Sequence, residues 1–287
     1  MAPWAHSSYG LLVLIVITAI PGRQCVPLKQ QPKQSSRARH HIREHHVPRI
    51  IHQSWKDTNV PEGFRPWQDS WKKNHPGWEY RLWTDEDNFN LIKDHYAWFL
   101  DTYESLPKPV MKADSARYLY MYHIGGVYAD LDFESLRNLE DVLAGQQVVL
   151  AEMTEEDWDQ AIPNAWLASE KGHPFWLFCI QQIIKASGSC SATNTDRWDW
   201  LEATTGPVML FHAVQAYKAV YPKAPGLNIL KPGLIYPIDW RRTVWGPNDG
   251  PGDEFSVCNP PHPYFNEEGC KARFPQAYAI TYWTHTW

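Results

Sequence analysis

Several signals are missing from this 287-residue sequence, and each absence closes off a class of explanation. There is no sustained Lys/Arg block, and 27 basic against 32 acidic residues give a formal charge of −5, so the electrostatic footprint of a nucleic-acid-binding protein is lacking. The five cysteines, Cys25, Cys179, Cys190, Cys258 and Cys270, match no zinc finger or ribbon spacing; they read as structural bridges or buried thiols. The pairs Cys179/Cys190 and Cys258/Cys270 would each close a short loop. No Asn-x-Ser/Thr glycosylation acceptor occurs, nor any internal repeat. The apolar run Tyr9–Ile20 is about a dozen residues, below the roughly 17–25 that span a bilayer as a helix.

That run has the length of a signal-peptide core and ends at Pro21-Gly22. Residues 1–22 are expected to be a cleaved secretory signal or a short signal-anchor, with membrane association through the N-terminus in the second case. Residues 23–46 are polar and basic, lack periodic apolar positions, and are expected to form a flexible stem. The basic, His-rich stretch Arg37–His46 falls in this stem and reads as a solvated tether. A folded domain is expected over 47–287. The expected localisation is the secretory pathway, in the Golgi lumen as a type II membrane protein, with secretion as the alternative.

Sixteen Trp and fourteen Tyr supply flat amphipathic groups that serve core packing and sugar or nucleotide stacking equally. Within the domain, Val47–Trp55 predicts a first buried strand, Trp67–Lys73 a helix, and Trp78–Trp83 a second strand. Thr84 and Asp87 have the spacing of a capping box, opening a helix toward His95; another is expected over Trp98–Leu106. Met111–Ile124 predicts a helix with Asp114, Arg117 and Met121 on one face, stopped by Gly125-Gly126. Val127–Phe133 alternates as a strand, placing Tyr128, Asp130 and Asp132 on one side. Further strands are expected over Gln147–Met153 and Leu234–Ile238, helices over Pro174–Ala186 and Val208–Tyr221, and a long excursion over Trp245–Pro263. Alternating strands and helices predict an α/β domain.

Two aspartates one residue apart at a strand end bring two hard oxygen ligands near one divalent cation, Mn²⁺ or Mg²⁺, which keeps open positions for phosphate oxygens. Such a cation offsets the charge on a departing diphosphate. Strand-end Asp-x-Asp also marks phosphatases of the haloacid dehalogenase type, but Glu134 stands where their pattern has Thr, and more than eighty globular residues precede the pair.

At these residues the chain resembles the glycosyltransferases with a DXD sugar-binding region, the family 32 type that includes fungal initiating α-1,6-mannosyltransferases and inositol-phosphoceramide mannosyltransferases. The likeness is carried by Ile50–Trp55, by His75–Asp85, by Lys112–Tyr118 through Gly125–Asp132, and more loosely by Thr205-Gly206-Pro207 and Trp283–Trp287. The resemblance implies a GT-A type fold, one domain with a central mixed sheet flanked by helices, and retaining chemistry. It implies that Trp55 stacks on the nucleotide base, that Asp114 and Arg117 fix ribose, diphosphate or donor sugar, that Asp130 contacts ribose and sugar, and that Asp132 ligates metal. Tyr128, Asn164 and Thr205-Gly206-Pro207 are further cleft candidates. The histidine that members often carry near the C-terminus is replaced here by Thr281, which leaves His285 as a shifted metal ligand. His52 reads either as a base or as a packing histidine. The implied donor is a nucleotide sugar, GDP-mannose or a UDP-sugar, and the acceptor a glycan or glycolipid. A noncatalytic carbohydrate-binding protein is the competing reading.

Overall fold

The computed structural model describes residues 46–188, 198–223, 226–241, 254–260 and 262–284. A six-stranded mixed sheet in the order β2-β1-β3-β6-β5-β7 forms its centre. Its strands are β1 (Ile50–Ser54), β2 (Glu79–Trp83), β3 (Gly126–Ala129), β5 (Val148–Ala151), β6 (Trp166–Ser169) and β7 (Leu227–Leu230). A two-stranded antiparallel ribbon, β4 (Phe133–Ser135) with β8 (Ala279–Thr281), lies outside it. Strands β1, β2 and β3 run parallel; β6 is antiparallel to both β3 and β5, and β7 is parallel to β5.

Both faces of the sheet are covered, and the pleat sorts the side chains between them. Tyr128 of β3, Leu150 of β5 and Leu167 of β6 face one cluster, built with helices α2 (Asp85–His95), α3 (Ala97–Ser105), α4 (Pro109–His123), α6 (Pro174–Gly188) and α8 (Pro207–Val220). Val127, Ala129, Val149, Ala151, Trp166 and Ala168 face a second cluster with Trp71 of α1 (Arg65–Asn74) and Phe133. A third cluster surrounds Leu131, Ile280 and Tyr282 and contains the disulfide between Cys258 and Cys270, which joins the short helix α9 (Glu254–Cys258) to α10 (Glu267–Arg273).

Local chemistry explains the elements that position the site. Thr84 accepts from the Asp87 amide while the Asp87 carboxylate accepts from the Thr84 amide, a complete capping box on α2. Pro109 starts α4, whose residues Asp114–Met121 are all buried, so the helix runs through the interior rather than over the surface. Gly125 and Gly126 end it at φ +75° and +102°. A Cβ on Gly125 would sit 2.7 Å from the Ser169 carbonyl oxygen, and one on Gly126 2.7 Å from that of Ile50, so close strand packing requires both glycines.

Two expectations are corrected. The strand predicted over Val127–Phe133 stops at Ala129: residues Asp130–Asp132 form a turn, closed by the Phe133 amide bonding to the Asp130 carbonyl at 3.2 Å. The segment Leu234–Ile238 is not a strand, because Pro237 offers no ladder N–H; the sheet is completed instead by Leu227–Leu230. Of the two readings left open for the cysteines, Cys179 is a free thiol buried in the first cluster and Cys258 with Cys270 a bridge, while Cys190 lies outside the described residues. Among the described residues no helix is long and apolar enough to cross a membrane; Tyr9–Ile20 lies outside them.

Candidate active site

The site forms at the carboxyl ends of the parallel strands, the edge where open α/β sheets bind ligands. Trp55 follows β1 and Asp130 follows β3, while Asn164 and Ala165 precede the antiparallel β6 and so reach the same edge. The Asp130–Asp132 turn is fixed through its backbone. The Asp130 amide bonds to the Ala165 carbonyl at 2.9 Å, the Gln53 amide group donates to the Asp130 carbonyl at 3.1 Å, and the Tyr282 amide donates to the Asp132 carbonyl at 3.1 Å. Leu131, the residue between the aspartates, is held in the third hydrophobic cluster.

Arg117 is the hub. Its Nη2 lies 3.3 Å from Asp114 Oδ1 and 3.3 Å from Asp130 Oδ1, its Nη1 donates to the Asn164 carbonyl at 2.8 Å, and its guanidinium lies 4.6 Å from the centre of the Tyr128 ring. Asp114 accepts from Asn164 Nδ2 at 2.9 Å and from Thr205 Oγ1 at 3.0 Å; Tyr128 OH donates to Asp130 Oδ1 at 2.5 Å. The structure therefore brings together Asp114, Arg117, Tyr128, Asp130, Asn164 and Thr205, from four separated stretches of chain.

One guanidinium serves two buried carboxylates, and the electrostatics follow. Burial pushes Asp130 up to about 7, with the charge of Asp132 adding to it and Arg117 opposing. Burial also raises Asp114, against the pull of Arg117, Thr205 and Asn164. Burial alone would lower Arg117, but Asp130, Tyr128 and Asp114 outweigh it and hold the proton firmly. Two polar atoms of this network, Asp130 Oδ2 and Arg117 Nε, are buried with no hydrogen-bond partner. Native interiors seldom leave such groups unpaired, which makes this pair a candidate point of ligand contact.

Two cavities meet at the hub. One, of about 320 Å³, is lined by Trp55, Phe64, Val110 and Ala113 and reaches Arg117, Tyr128, Asp130 and Asp132, with Lys56, Asp85 and Thr284 at its margin. Its volume lies in the range of about 300–1,000 Å³ usual for small-molecule sites. The indole N–H of Trp55 is buried there without a partner. The other, of about 150 Å³, lies toward Asp114, Asn164, Gln160, Glu202, Trp240 and Trp283 and shares Val110, Arg117 and Asp130 with the first.

Asp132 points to the C-terminal segment. Its Oδ2 accepts from the Thr284 amide at 2.9 Å and from Thr284 Oγ1 at 3.2 Å, and Thr281 Oγ1 lies 3.4 Å from Oδ1. Among the described residues no group of three or more His, Cys, Asp or Glu could hold a metal, and His285 lies outside them. The donor set still fits a hard cation: Asp130 and Asp132 offer oxygen, and the unpartnered Asp130 Oδ2 is an acceptor that a cation would satisfy. Asp130 and Asp132 would hold it from the protein side.

His52 is not in the site. Trp83 Nε1, which can only donate, lies 3.0 Å from His52 Nδ1, so Nε2 carries the proton and donates to the Gly125 carbonyl at 2.8 Å. Burial pushes its pKa down to about 4, which leaves a neutral packing histidine tying β1 to the Gly125-Gly126 turn. Glu134 is likewise engaged elsewhere, by Lys271 Nζ at 2.9 Å and Tyr282 OH at 2.6 Å. Sequence spacing did not point to Gln160, Glu202 and Trp240, which sit in loops and a short helix with no motif of their own.

Residues 61–149 match the model of the glycosyltransferase sugar-binding region containing a DXD motif. Over those residues the chain is similar to this DXD glycosyltransferase family. It is 32% identical to inositol phosphoceramide mannosyltransferase 1 of Schizosaccharomyces pombe over 63% of this chain and 56% of that protein. It is 35% identical to inositol phosphoceramide mannosyltransferase 2 of the same yeast over 62% and 49%. The initiation-specific alpha-1,6-mannosyltransferase of Candida albicans is 26% identical over 68% and 59%. The chain thus spans about half the length of the curated relatives it matches first. Its mixed sheet flanked by helices is the α/β architecture expected from the sequence.

Proposed function

We propose that this protein is a metal-dependent, retaining glycosyltransferase that moves a hexose, mannose from GDP-mannose, to a hydroxyl of a glycan or glycolipid. The observation that carries the proposal is the buried cluster of Arg117 with Asp114 and Asp130, at the mouth of a nucleotide-sized cavity and beside Asp132. The mannose assignment is supported by the names of the relatives, two of which are inositol phosphoceramide mannosyltransferases.

In this reading the base lies against Trp55 and the diphosphate reaches Asp130 and Asp132. A divalent cation held by those two aspartates supplies Lewis-acid neutralisation of the charge that gathers on the departing diphosphate. Arg117, fixed in place by Asp114, Asp130 and Asn164, presents an oriented cationic fork to phosphate or sugar oxygens without reorganising. Tyr128 orients the Asp130 carboxylate through its hydroxyl. Asp114, held by Thr205 and Asn164, accepts from sugar hydroxyls on the side of the second cavity.

Residence in the secretory pathway, as a Golgi type II membrane protein, is part of the proposal. It is supported by the apolar run Tyr9–Ile20 and by the Cys258–Cys270 disulfide, which needs an oxidising compartment. The test is a screen of GDP- and UDP-sugars for Mn²⁺-dependent hydrolysis by the purified chain, with Asp132→Asn alongside. Hydrolysis of GDP-mannose that disappears in Asp132→Asn is expected; turnover unchanged in that variant, with metal still required, refutes the assigned role.

A further inference from the structure

Beyond Arg117 and Asp130, the second cavity is closed by groups that donor binding leaves unused. Trp240 and Trp283 form walls, and Gln160 with Glu202 lies at one edge. These walls are held from behind. Trp283 Nε1 donates to the Ile238 carbonyl at 2.9 Å and its ring stacks on Tyr236 at 5.7 Å, while Trp240 packs on Trp158 at 5.7 Å. Trp283 also takes φ 47°, the one non-glycine residue in the left-handed region among those described, a conformation that costs about 1–3 kcal/mol. Backbone strain kept at a cavity wall points to a surface shaped for a ligand. Two indoles and a bonded amide–carboxylate pair, Gln160 Nε2 to Glu202 Oε2 at 2.6 Å, suit a ring with apolar faces and a hydroxylated rim.

Charge narrows the ligand further. Three lining residues are carboxylates, Asp114, Asp130 and Glu202, whereas Arg117 is the one cation among the described lining residues. Arg117 is engaged by both aspartates and by Asn164. At the outside, Arg241 lies over Trp158 at 4.4 Å but is held by Asp239 and by Glu156 at 2.7 Å. With Arg117 already turned to the donor, a second phosphate entering the cavity would therefore face carboxylates and no further cation of its described lining.

We propose that this cavity receives the acceptor and selects a hydroxyl of an uncharged pyranose over that of a phosphate-bearing ring. The proposal rests on the glycosyltransferase reading of the hub. In the transfer, the acceptor hydroxyl oxygen forms the new bond to the donor's anomeric carbon and the bond from that carbon to the diphosphate breaks. The diphosphate leaves with the electron pair, and the hydroxyl proton ends on it. Glu202 and Gln160 act as specificity residues that accept from and donate to the acceptor's remaining hydroxyls.

The test uses the full chain with Mn²⁺ and the nucleotide sugar it hydrolyses. It compares kcat/KM for transfer to the methyl pyranosides of mannose, glucose and galactose with that for myo-inositol 1-phosphate. At least one neutral pyranoside is expected to be preferred by about tenfold or more, since like charges set against each other in a recognition site are strongly disfavoured. In Glu202→Gln the preference should shrink, through a lower KM for the phosphorylated ring. Equal or better transfer to inositol phosphate, or an unchanged preference in Glu202→Gln, overturns the acceptor assignment while donor hydrolysis keeps the glycosyltransferase reading intact. Absence of hydrolysis with every nucleotide sugar removes both.

Discussion

Replacing Arg117 with Met should destabilise the chain by about 3–5 kcal/mol, the cost of breaking a buried ion pair by removing one partner. The figure follows from what the substitution leaves behind. Arg117 is 3% exposed, so water does not fill in for it, and both Asp114 and Asp130 lose their common countercharge. The Asn164 carbonyl also loses a 2.8 Å donor, which contributes about 1–3 kcal/mol for a stranded buried acceptor. Part of the loss is recovered because Asp114 keeps Thr205 and Asn164 as donors, Asp130 keeps Tyr128, and either carboxyl can protonate. Urea denaturation of the wild type, Arg117→Met, Asp130→Asn and the double variant closes the cycle. The double variant should be more stable than the two single losses added together, because Asp130→Asn removes one of the charges that Arg117→Met strands. A loss below about 1 kcal/mol for Arg117→Met, or strict additivity, would refute the picture of one guanidinium shared between two buried carboxylates.

Three other outcomes follow. Because Asp130 is raised to about 7 in the folded chain, the metal-free fold retains a proton that the unfolded chain has released; stability from this group therefore falls as pH rises from about 4 toward 7. Stabilisation by Mn²⁺, which needs the ionised carboxylate, should grow through the same window; melting temperatures with and without Mn²⁺ from pH 5.5 to 8 read both trends, and metal stabilisation that weakens with rising pH contradicts the assignment. His52→Ala should cost stability in denaturant through the lost Gly125 and Trp83 bonds, while the pH dependence of kcat on the acidic side stays that of the wild type; loss of a kinetic pKa would make it a base after all. Reducing the Cys258–Cys270 bridge, or Cys258→Ala with Cys270→Ala, should lower stability by about 3 kcal/mol from the reopened 12-residue loop, measured by denaturation with and without reductant.

Local signals in the sequence were sufficient where the structure itself is local. The Thr84–Asp87 cap, the Pro109 start and glycine stop of α4, and the placement of Asp130 just after a buried strand are each set by neighbours within a few residues. Strand assignment failed where tertiary bonds decide. The alternation of Val127–Phe133 looks continuous, yet the Asp130 amide makes the last bond of the β3–β6 register, to the Ala165 carbonyl, and the chain then turns as the Phe133 amide bonds to the Asp130 carbonyl. Strands β6 and β7 are four residues each, too short for a period to emerge, and the apolar Leu234–Ile238 misleads because its proline cannot join a ladder. The partners of Asp114 were also hidden: Asn164 lies 50 residues away and Thr205 lies 91, distances at which spacing carries no information. The acidic second cavity is a product of the fold alone.

In the proposed reading, Asp130 and Asp132 recruit a divalent cation that steadies a nucleoside diphosphate in the cavity lined by Trp55. Calorimetric titration of GDP and of UDP into the chain, with Mn²⁺ and with chelator, and again with Asp132→Asn, tests it most directly. Mn²⁺ should tighten nucleotide binding at least about tenfold in the wild type, a difference of about 1.4 kcal/mol, and not in the variant. Equal affinity with and without Mn²⁺, or a metal effect that survives in Asp132→Asn, would contradict it.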